Sequence, residues 1–252
     1  MRRFFIDPQQ VSGNHAILTG PEAHHLIAVL RLKVGEHVLL FDGGGQTYEA
    51  QIDRVAGGRV ETTLLAGWRE EPTRQPALHV GLALLKGKKM DFCLQKATEL
   101  GVAAIHPFVS SFCAGRLDQA DRELRQKDRW ARIIQEACKQ CNRPVAPACR
   151  PLTAFDTLID TAGEFDLKLI CWEGERRQGL TDLLREGPAG GALLVLIGPE
   201  GGFSQTEIDR ALTAGFQPVS LGRRVLRAET AALAVIAIIQ YLLGNLAAGP
   251  AA

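Results

Sequence analysis

The stretch Ala192-Leu193-Leu194-Val195-Leu196-Ile197-Gly198-Pro199-Glu200-Gly201-Gly202-Phe203-Ser204-Gln205-Thr206-Glu207 reads as a strand, a glycine turn and the first turn of a helix. The apolar run Ala192–Ile197 has no polar interruption, as a strand needs when helices cover both faces of its sheet. Ser204 and Glu207 have capping-box spacing: a hydroxyl for the orphan N–H groups of the first turn, and a carboxylate reaching back to the cap. The pattern continues on both sides. Leu78–Leu85, Val102–Val109, Leu167–Cys171 and Pro218–Leu221 read as strands; Asp91–Leu100, Lys127–Cys141, Ser204–Ala214 and Glu229–Leu243 read as helices. Alternation of this kind predicts an α/β domain with a mainly parallel sheet.

The first 70 residues differ. Val38–Phe41 and Thr47–Ile52 flank Asp42-Gly43-Gly44-Gly45-Gln46 as the arms of a hairpin, Val60–Leu65 is a further strand, and His24–Leu32 reads as a short helix. Trp68–Pro76, with two prolines and four charges, is the linker candidate. The chain therefore divides into a β-rich domain at 1–70, a linker at 71–76 and the α/β domain at 77–252.

The formal net charge is +1 over 252 residues, but it is unevenly spread. Residues 86–150 carry 13 Lys/Arg against 7 Asp/Glu, whereas residues 1–75 carry 8 against 9 and residues 151–252 carry 8 against 12. A local basic excess either attracts phosphates or is a solvated helix surface. The six cysteines are irregularly spaced and no secretory leader is evident, so free thiols in a reducing cytoplasm are expected. Cys138-x-x-Cys141 lies on a predicted helix without a second pair, and no metal is expected. Ala231–Ile239 is apolar throughout but too short for a bilayer, which takes about 20 residues. It reads as a helix in a core or in a subunit interface.

In open α/β sheets ligands sit beyond the carboxyl ends of the strands. Two such ends are glycine-rich here: Ile197–Phe203 and Ser220-Leu221-Gly222-Arg223-Arg224-Val225-Leu226-Arg227. The first has neither the Lys-Ser/Thr of a P-loop nor dinucleotide-fingerprint spacing, and Glu200 is unsuited to a phosphate cradle. A cationic ligand would suit it; a turn that merely joins strand to helix is the alternative.

These residues, Leu196–Ser204 with Leu221-Gly222 and Leu226-Arg227-Ala228-Glu229-Thr230-Ala231, resemble the RsmE family of ribosomal RNA small-subunit methyltransferases, members of the SPOUT superfamily. Arg2-Arg3-Phe4-Phe5, His24-His25 with Val29-Leu30-Arg31, Lys86–Asp91, Gln95–Gly101 and Arg129-Trp130 through Arg143 extend the resemblance over nearly the whole chain. It implies a PUA-like N-terminal β-barrel, a C-terminal SPOUT-type α/β domain with a trefoil knot, a homodimer, and transfer of methyl from S-adenosylmethionine (SAM) to N3 of a uridine in 16S rRNA, within the small ribosomal subunit. The implied cofactor residues are Trp172, Glu173, Ile197, Gly198, Pro199, Glu200, Gly201, Gly202, Leu221, Gly222, Leu226 and Arg227. Arg227 is the candidate catalytic cation, or else it only pairs with Glu229 or shapes the cofactor loop. The expected RNA contacts are Arg2, Arg3, Arg31, Lys86, Lys88, Lys89 and Arg143, with Arg129 and Arg132 as further candidates. Replacing the three lysines is expected to weaken RNA binding and spare SAM. The sequence departs from the family pattern at Ser110–Gly115, at Arg223 and at Cys141-Asn142. Non-catalytic RNA binding, or methylation of another RNA, would be the rival uses of such a fold.

Overall fold

A computed structural model describes residues 1–70, 76–113, 120–175, 178–185 and 191–246, with backbone alone for 120–125 and 185. Most of the expected linker, and Ala114 and Gly115, lie outside the described residues. The chain forms two compact units, Met1–Thr73 with Gln135–Ala146, and Arg74–Ile134 with Pro147–Ala252.

In the first unit, strands β1 (Arg2–Phe5), β2 (Val11–Ser12) and β3 (His15–Leu18) precede helix α1 (Gly20–His24), which continues into a π-helical turn over His25–Val29. Strands β4 (His37–Phe41), β5 (Gln46–Ala56) and β6 (Arg59–Arg69) follow. They form a six-stranded mixed sheet in the order β1-β4-β5-β6-β3-β2, antiparallel except where β1 runs parallel to β4. The expected hairpin is β4–β5, with Phe41 opposite Thr47. The alternating burial of β3 and β4 turns Ala16, Leu18, Val38 and Leu40 onto Phe4, Ile6, Leu26, Ile52 and Val60. The expected helix at His24–Leu32 begins earlier, at Gly20, because Pro21 is suited to a first helical turn.

The second unit contains β7 (Ala77–Ala83), α2 (Lys88–Glu99), β8 (Ala104–Val109), α3 (Ala120–Cys141), the short strands β9 (Ala148–Cys149) and β10 (Thr153–Ala154), and α4 (Phe155–Thr161). Next come β11 (Leu167–Cys171), α5 (Leu180–Arg185), β12 (Ala192–Ile197), α6 (Gln205–Thr213), β13 (Gln217–Val219) and α7 (Ala228–Leu242). Residues 135–141 of α3 belong to the first unit. All pairings in this seven-stranded sheet are parallel, in the order β10-β8-β7-β12-β11-β13, with β9 also on β8. One face packs Leu78, Val80, Val195 and Ile197 against Leu94, Trp130, Val235 and Ile239; the other packs Ile170, Leu194 and Leu196 against Phe155, Leu158, Ile208 and Phe216. Burial on both faces explains the uninterrupted apolar run of β12. The strand order reverses between β7 and β12, so a crevice is expected beyond their carboxyl ends.

Candidate functional site

A cleft of about 590 Å³ opens beyond the carboxyl ends of β11 and β13. Cys171, Trp172, Glu173 and Glu175 line one side; Val219 through Leu226 and Ala231 of α7 line the other. The volume falls in the range of about 300–1,000 Å³ that holds cofactor-sized molecules. Its two walls are tied together by backbone bonds: Trp172 N donates to Val219 O at 3.1 Å and Ser220 N to Gln178 O at 2.9 Å. Gly222 has φ +105, and no atom lies within 4 Å of where a Cβ would stand. The backbone there faces open space, a cradle that any side chain would begin to fill. Glu173 and Glu175 supply negative charge, Arg223 and Arg224 positive charge, and Val219, Leu221 and Leu226 apolar wall. A zwitterionic amino acid joined to a sulfonium and an apolar ring finds matching groups in this set. Burial pushes the Cys171 thiol up to about 12, so it lines the cleft as a neutral group rather than a thiolate.

Of the residues singled out from the sequence, Trp172, Glu173, Leu221, Gly222 and Leu226 line this cleft. Ile197, Gly198, Pro199, Glu200, Gly201 and Gly202 stand at the end of the neighbouring strand β12 and are not in its lining. Their loop meets the cleft through Gly202, which has φ +73 and whose Cβ position is 2.7 Å from Glu173 Oε1. Gly201 is packed against Phe112, 2.8 Å from its Cβ position to the Phe112 Cβ. The capping box is present, with Ser204 Oγ accepting from Glu207 N and the Glu207 carboxylate accepting from Ser204 N. Buried Glu207 also accepts from Ser111 N at 2.8 Å, so the loop after β8 is fastened to the same turn. Glu175, Arg223, Arg224 and Ala231 also line the cleft without having been singled out as ligands; Glu175 and the two arginines stand just past strand ends, and Ala231 lies in the first turn of α7 within the Leu226–Ala231 motif.

Lys89, expected at a phosphate, faces carboxylates instead. Its Nζ is 3.1 Å from Glu200 Oε1 and 3.4 Å from Glu229 Oε2, and Lys86 N donates to the same Glu200 oxygen at 3.4 Å. The bond to Glu200 raises the Lys89 pKa, with Glu229 adding to it and desolvation opposing it. Burial works against ionised Glu200, but backbone N–H groups and Lys89 outweigh it and hold its pKa below the usual carboxylate value.

Arg227 is the N-cap residue of α7, next to cleft-lining Leu226. It is exposed and makes no ion pair among the described residues. The alternative partnership with Glu229 is not formed, since Glu229 faces Lys89.

The remaining expected RNA residues fall into two groups. In the first unit, Arg3 donates to Asn142 O at 3.0 Å and stacks its guanidinium over Phe41, which brings it near Arg143; both arginines pull down the Cys138 thiol, though burial dominates and pushes it up to about 11. Arg2 and Arg31 are exposed there, Arg31 with φ 54. In the second unit, Lys86 and Lys88 are exposed at the start of α2, while Arg129 is ion-paired with Asp91.

Residues 72–240 match a model of the RNA methyltransferase domain, and residues 18–65 one of the RNA methyltransferase PUA domain. The chain is 30% identical over 250 residues to the ribosomal RNA small subunit methyltransferase E of Bacillus subtilis, covering 96% of each, and 33% identical over 242 residues to that of Synechocystis, covering 96% of this chain and 78% of the other. Among solved structures it is similar to a Legionella pneumophila methyltransferase in complex with bound SAM, with 32% identity, a TM-score of 0.86 and coverage of 95% and 96%. It is also similar to the ribosomal RNA small subunit methyltransferase E of Neisseria gonorrhoeae bound to SAM, with 34% identity, a TM-score of 0.85 and coverage of 96% and 98%. A domain model matched from β7 to α7, and named relatives matched over nearly the whole chain, place this protein in the ribosomal RNA small subunit methyltransferase E family.

Proposed function

We infer that the protein is a SAM-dependent methyltransferase that modifies N3 of a uridine in 16S rRNA. The observation that carries this reading is the cofactor-sized cleft at the ends of β11 and β13, in a chain alike over nearly its whole length to relatives solved with SAM. Bound SAM supplies an electrophilic methyl on a sulfonium. Gly222 lets the backbone approach it, Leu221 and Leu226 exclude water from its apolar part, and Glu173 offers a carboxylate to its positive charge. Glu200 and Gly201 support the cleft from the adjacent loop.

Uridine N3 must lose its proton, for which solvent water is the acceptor we assign, and the negative charge left on the base needs a cation. We assign that role to Arg227, which is exposed beside the cleft and free of ion pairs among the described residues. The uridine must be unstacked from folded RNA to reach it. Arg2, Arg3, Arg31 and Arg143 in the first unit and Lys86 and Lys88 in the second are proposed to hold the RNA by its phosphates. The first unit is proposed as the PUA-like RNA-binding domain and the second as a SPOUT domain with a trefoil knot. The insertion of β12 between β7 and β11, with α7 returning against α2, supports the latter.

The end of α7 leaves Ile238, Tyr241 and Leu242 exposed, and Phe92 is exposed on α2, which packs against it. We propose that this face forms a homodimer, and sedimentation at micromolar concentration should give twice the mass of the chain; a stable monomer would refute it. No helix among the described residues is long and apolar enough to cross a membrane. The proposed place of work is the cytoplasm, on the small ribosomal subunit. Nucleoside analysis of small-subunit rRNA with and without the gene tests the whole reading. Loss of N3-methyluridine is expected; an unchanged nucleoside profile would refute it.

A further inference from the structure

A second pocket, of about 340 Å³, lies beyond the carboxyl end of β7, between the start of α2 and the side of α3. We propose that it takes a nucleobase of the RNA substrate that flanks the methylated uridine, not the reacting base. The inference rests on the methyltransferase reading above.

The walls of the pocket favour a base over the cofactor. Trp130, buried to 5% exposure, lines it with Met90 and Leu85. Gln126 and Lys86 add polar side chains to the lining. Unstacked RNA bases are held in this way, by an aromatic or apolar surface and a few polar groups at their edges. Its charge also differs from that of the cleft. Lys86 and Arg129 line it, Lys88 is exposed beside it, and its one lining carboxylate, Asp91, is already paired with Arg129. A sulfonium cation gains nothing there, whereas a polyanionic strand does.

The geometry decides which base. The pocket is at the end of β7 and the cleft at the end of β11, with β12 between them. Two interstrand spacings put these strand ends about 10 Å apart. A reacting atom must come within about 3–3.5 Å of the donor, so a base seated fully in the pocket is out of range of the cleft. A neighbouring nucleotide is at the right distance to occupy it. The two sites are also mechanically joined, because Lys86 N and Lys89 Nζ both bond Glu200 of the intervening loop. The pocket and the loop beside the cleft are thereby held at a fixed spacing, so a base in the pocket adds RNA affinity without remodelling the cleft.

The test begins with wild-type enzyme and a short 16S rRNA fragment that it methylates. Failure to methylate any small-subunit RNA would overturn the methyltransferase reading itself, and this inference with it. With an active substrate, 4-thiouridine is placed in turn at the acceptor and at each adjacent position, and the crosslinked peptides are identified. A crosslink from an adjacent position to the Gln126–Trp130 segment is expected. Crosslinking to that segment from the acceptor position alone, or from none, would overturn the proposal. In parallel, Gln126→Trp fills the pocket from α3. It should raise KM for RNA about tenfold, with kcat and the SAM Kd changed by less than about twofold and the melting temperature near wild type. An unchanged KM, or a loss confined to kcat at saturating RNA, would refute the assignment; should the variant not fold, the wild-type crosslink decides.

Discussion

Lys89 Nζ sits 3.1 Å from Glu200 Oε1, joining the start of α2 to the glycine loop after β12 across 111 residues of sequence. The same ammonium lies 3.4 Å from Glu229 Oε2 in the first turn of α7. Three sequence motifs that look independent, around Lys86–Asp91, Gly198–Gly202 and Leu226–Ala231, thus meet at one charge. We propose on this ground that Lys89 positions the cofactor loops, because its ammonium is taken up by Glu200 and Glu229.

Lys89→Met should therefore weaken SAM binding several-fold while leaving the salt dependence of RNA binding close to wild type. Removing the ammonium leaves two carboxylates facing each other's field without a counter-charge. Glu229→Gln in the same chain should recover part of the SAM affinity, because it removes one of those charges. Calorimetry with SAM on both variants checks this; unchanged affinity in Lys89→Met would show that the bridge has no bearing on the cofactor.

The phosphate attraction should instead reside in Lys86 and Lys88, which are exposed and make no ion pair among the described residues. Replacing both with Ala should lower the slope of log K against log salt by about 0.7–0.9 for each true contact. Titrations at several salt concentrations measure the slope. SAM affinity should not move, since neither side chain lines the cleft.

Gly222 and Gly202 should respond differently to Ala. Both have φ in the left-handed region, at +105 and +73, and such a residue costs roughly 1–2 kcal/mol in stability. At Gly222, which lines the cleft, the new methyl meets no other protein atom within 4 Å, so SAM affinity should fall with only that strain cost. At Gly202 it comes within 2.7 Å of Glu173 Oε1, so Glu173 must shift and stability should fall further. Melting curves with and without SAM separate the two effects. Equal SAM affinity in wild type and Gly222→Ala would move the cofactor elsewhere.

Acid should destabilise the second unit through its histidine pair. His79 Nδ1 and His106 Nε2 are 3.0 Å apart on neighbouring strands, packed against Phe165. Burial lowers the His106 pKa to about 4, with His79 and Arg150 adding to the shift. Burial likewise lowers that of His79, against the field of Glu164. The unfolded chain takes up protons below about pH 6.5 while the folded pair does not. Stability is therefore full above that pH and declines as pH falls toward about 4, where His106 in the folded state begins to protonate. His106→Leu should flatten this decline in thermal melts across the window; an unaltered pH profile would exclude the pair as its cause.

Local patterning accounts for much of what could be read from the chain alone. The β12 strand, the capping box at Ser204–Glu207, the β4–β5 hairpin and the apolar α7 follow from side-chain periodicity, turn residues and caps acting within a few positions. Trp172, Glu173, Leu221, Gly222 and Leu226 are legible as cleft-lining residues because loops that follow parallel strands gather at one end of the sheet and these resemble a known family. Tertiary structure alone decided the rest. The sequence shows that Lys89 is basic, but its partners lie 111 and 140 residues away and are set by the sheet order. The parallel pairing of β1 with β4, the grouping of Gln135–Ala146 with the first unit and the meeting of His79 with His106 have the same origin. Burial and charge pairing are properties of neighbours in space, and a neighbour that arrives from a distant segment leaves no period or spacing in the local sequence to announce it.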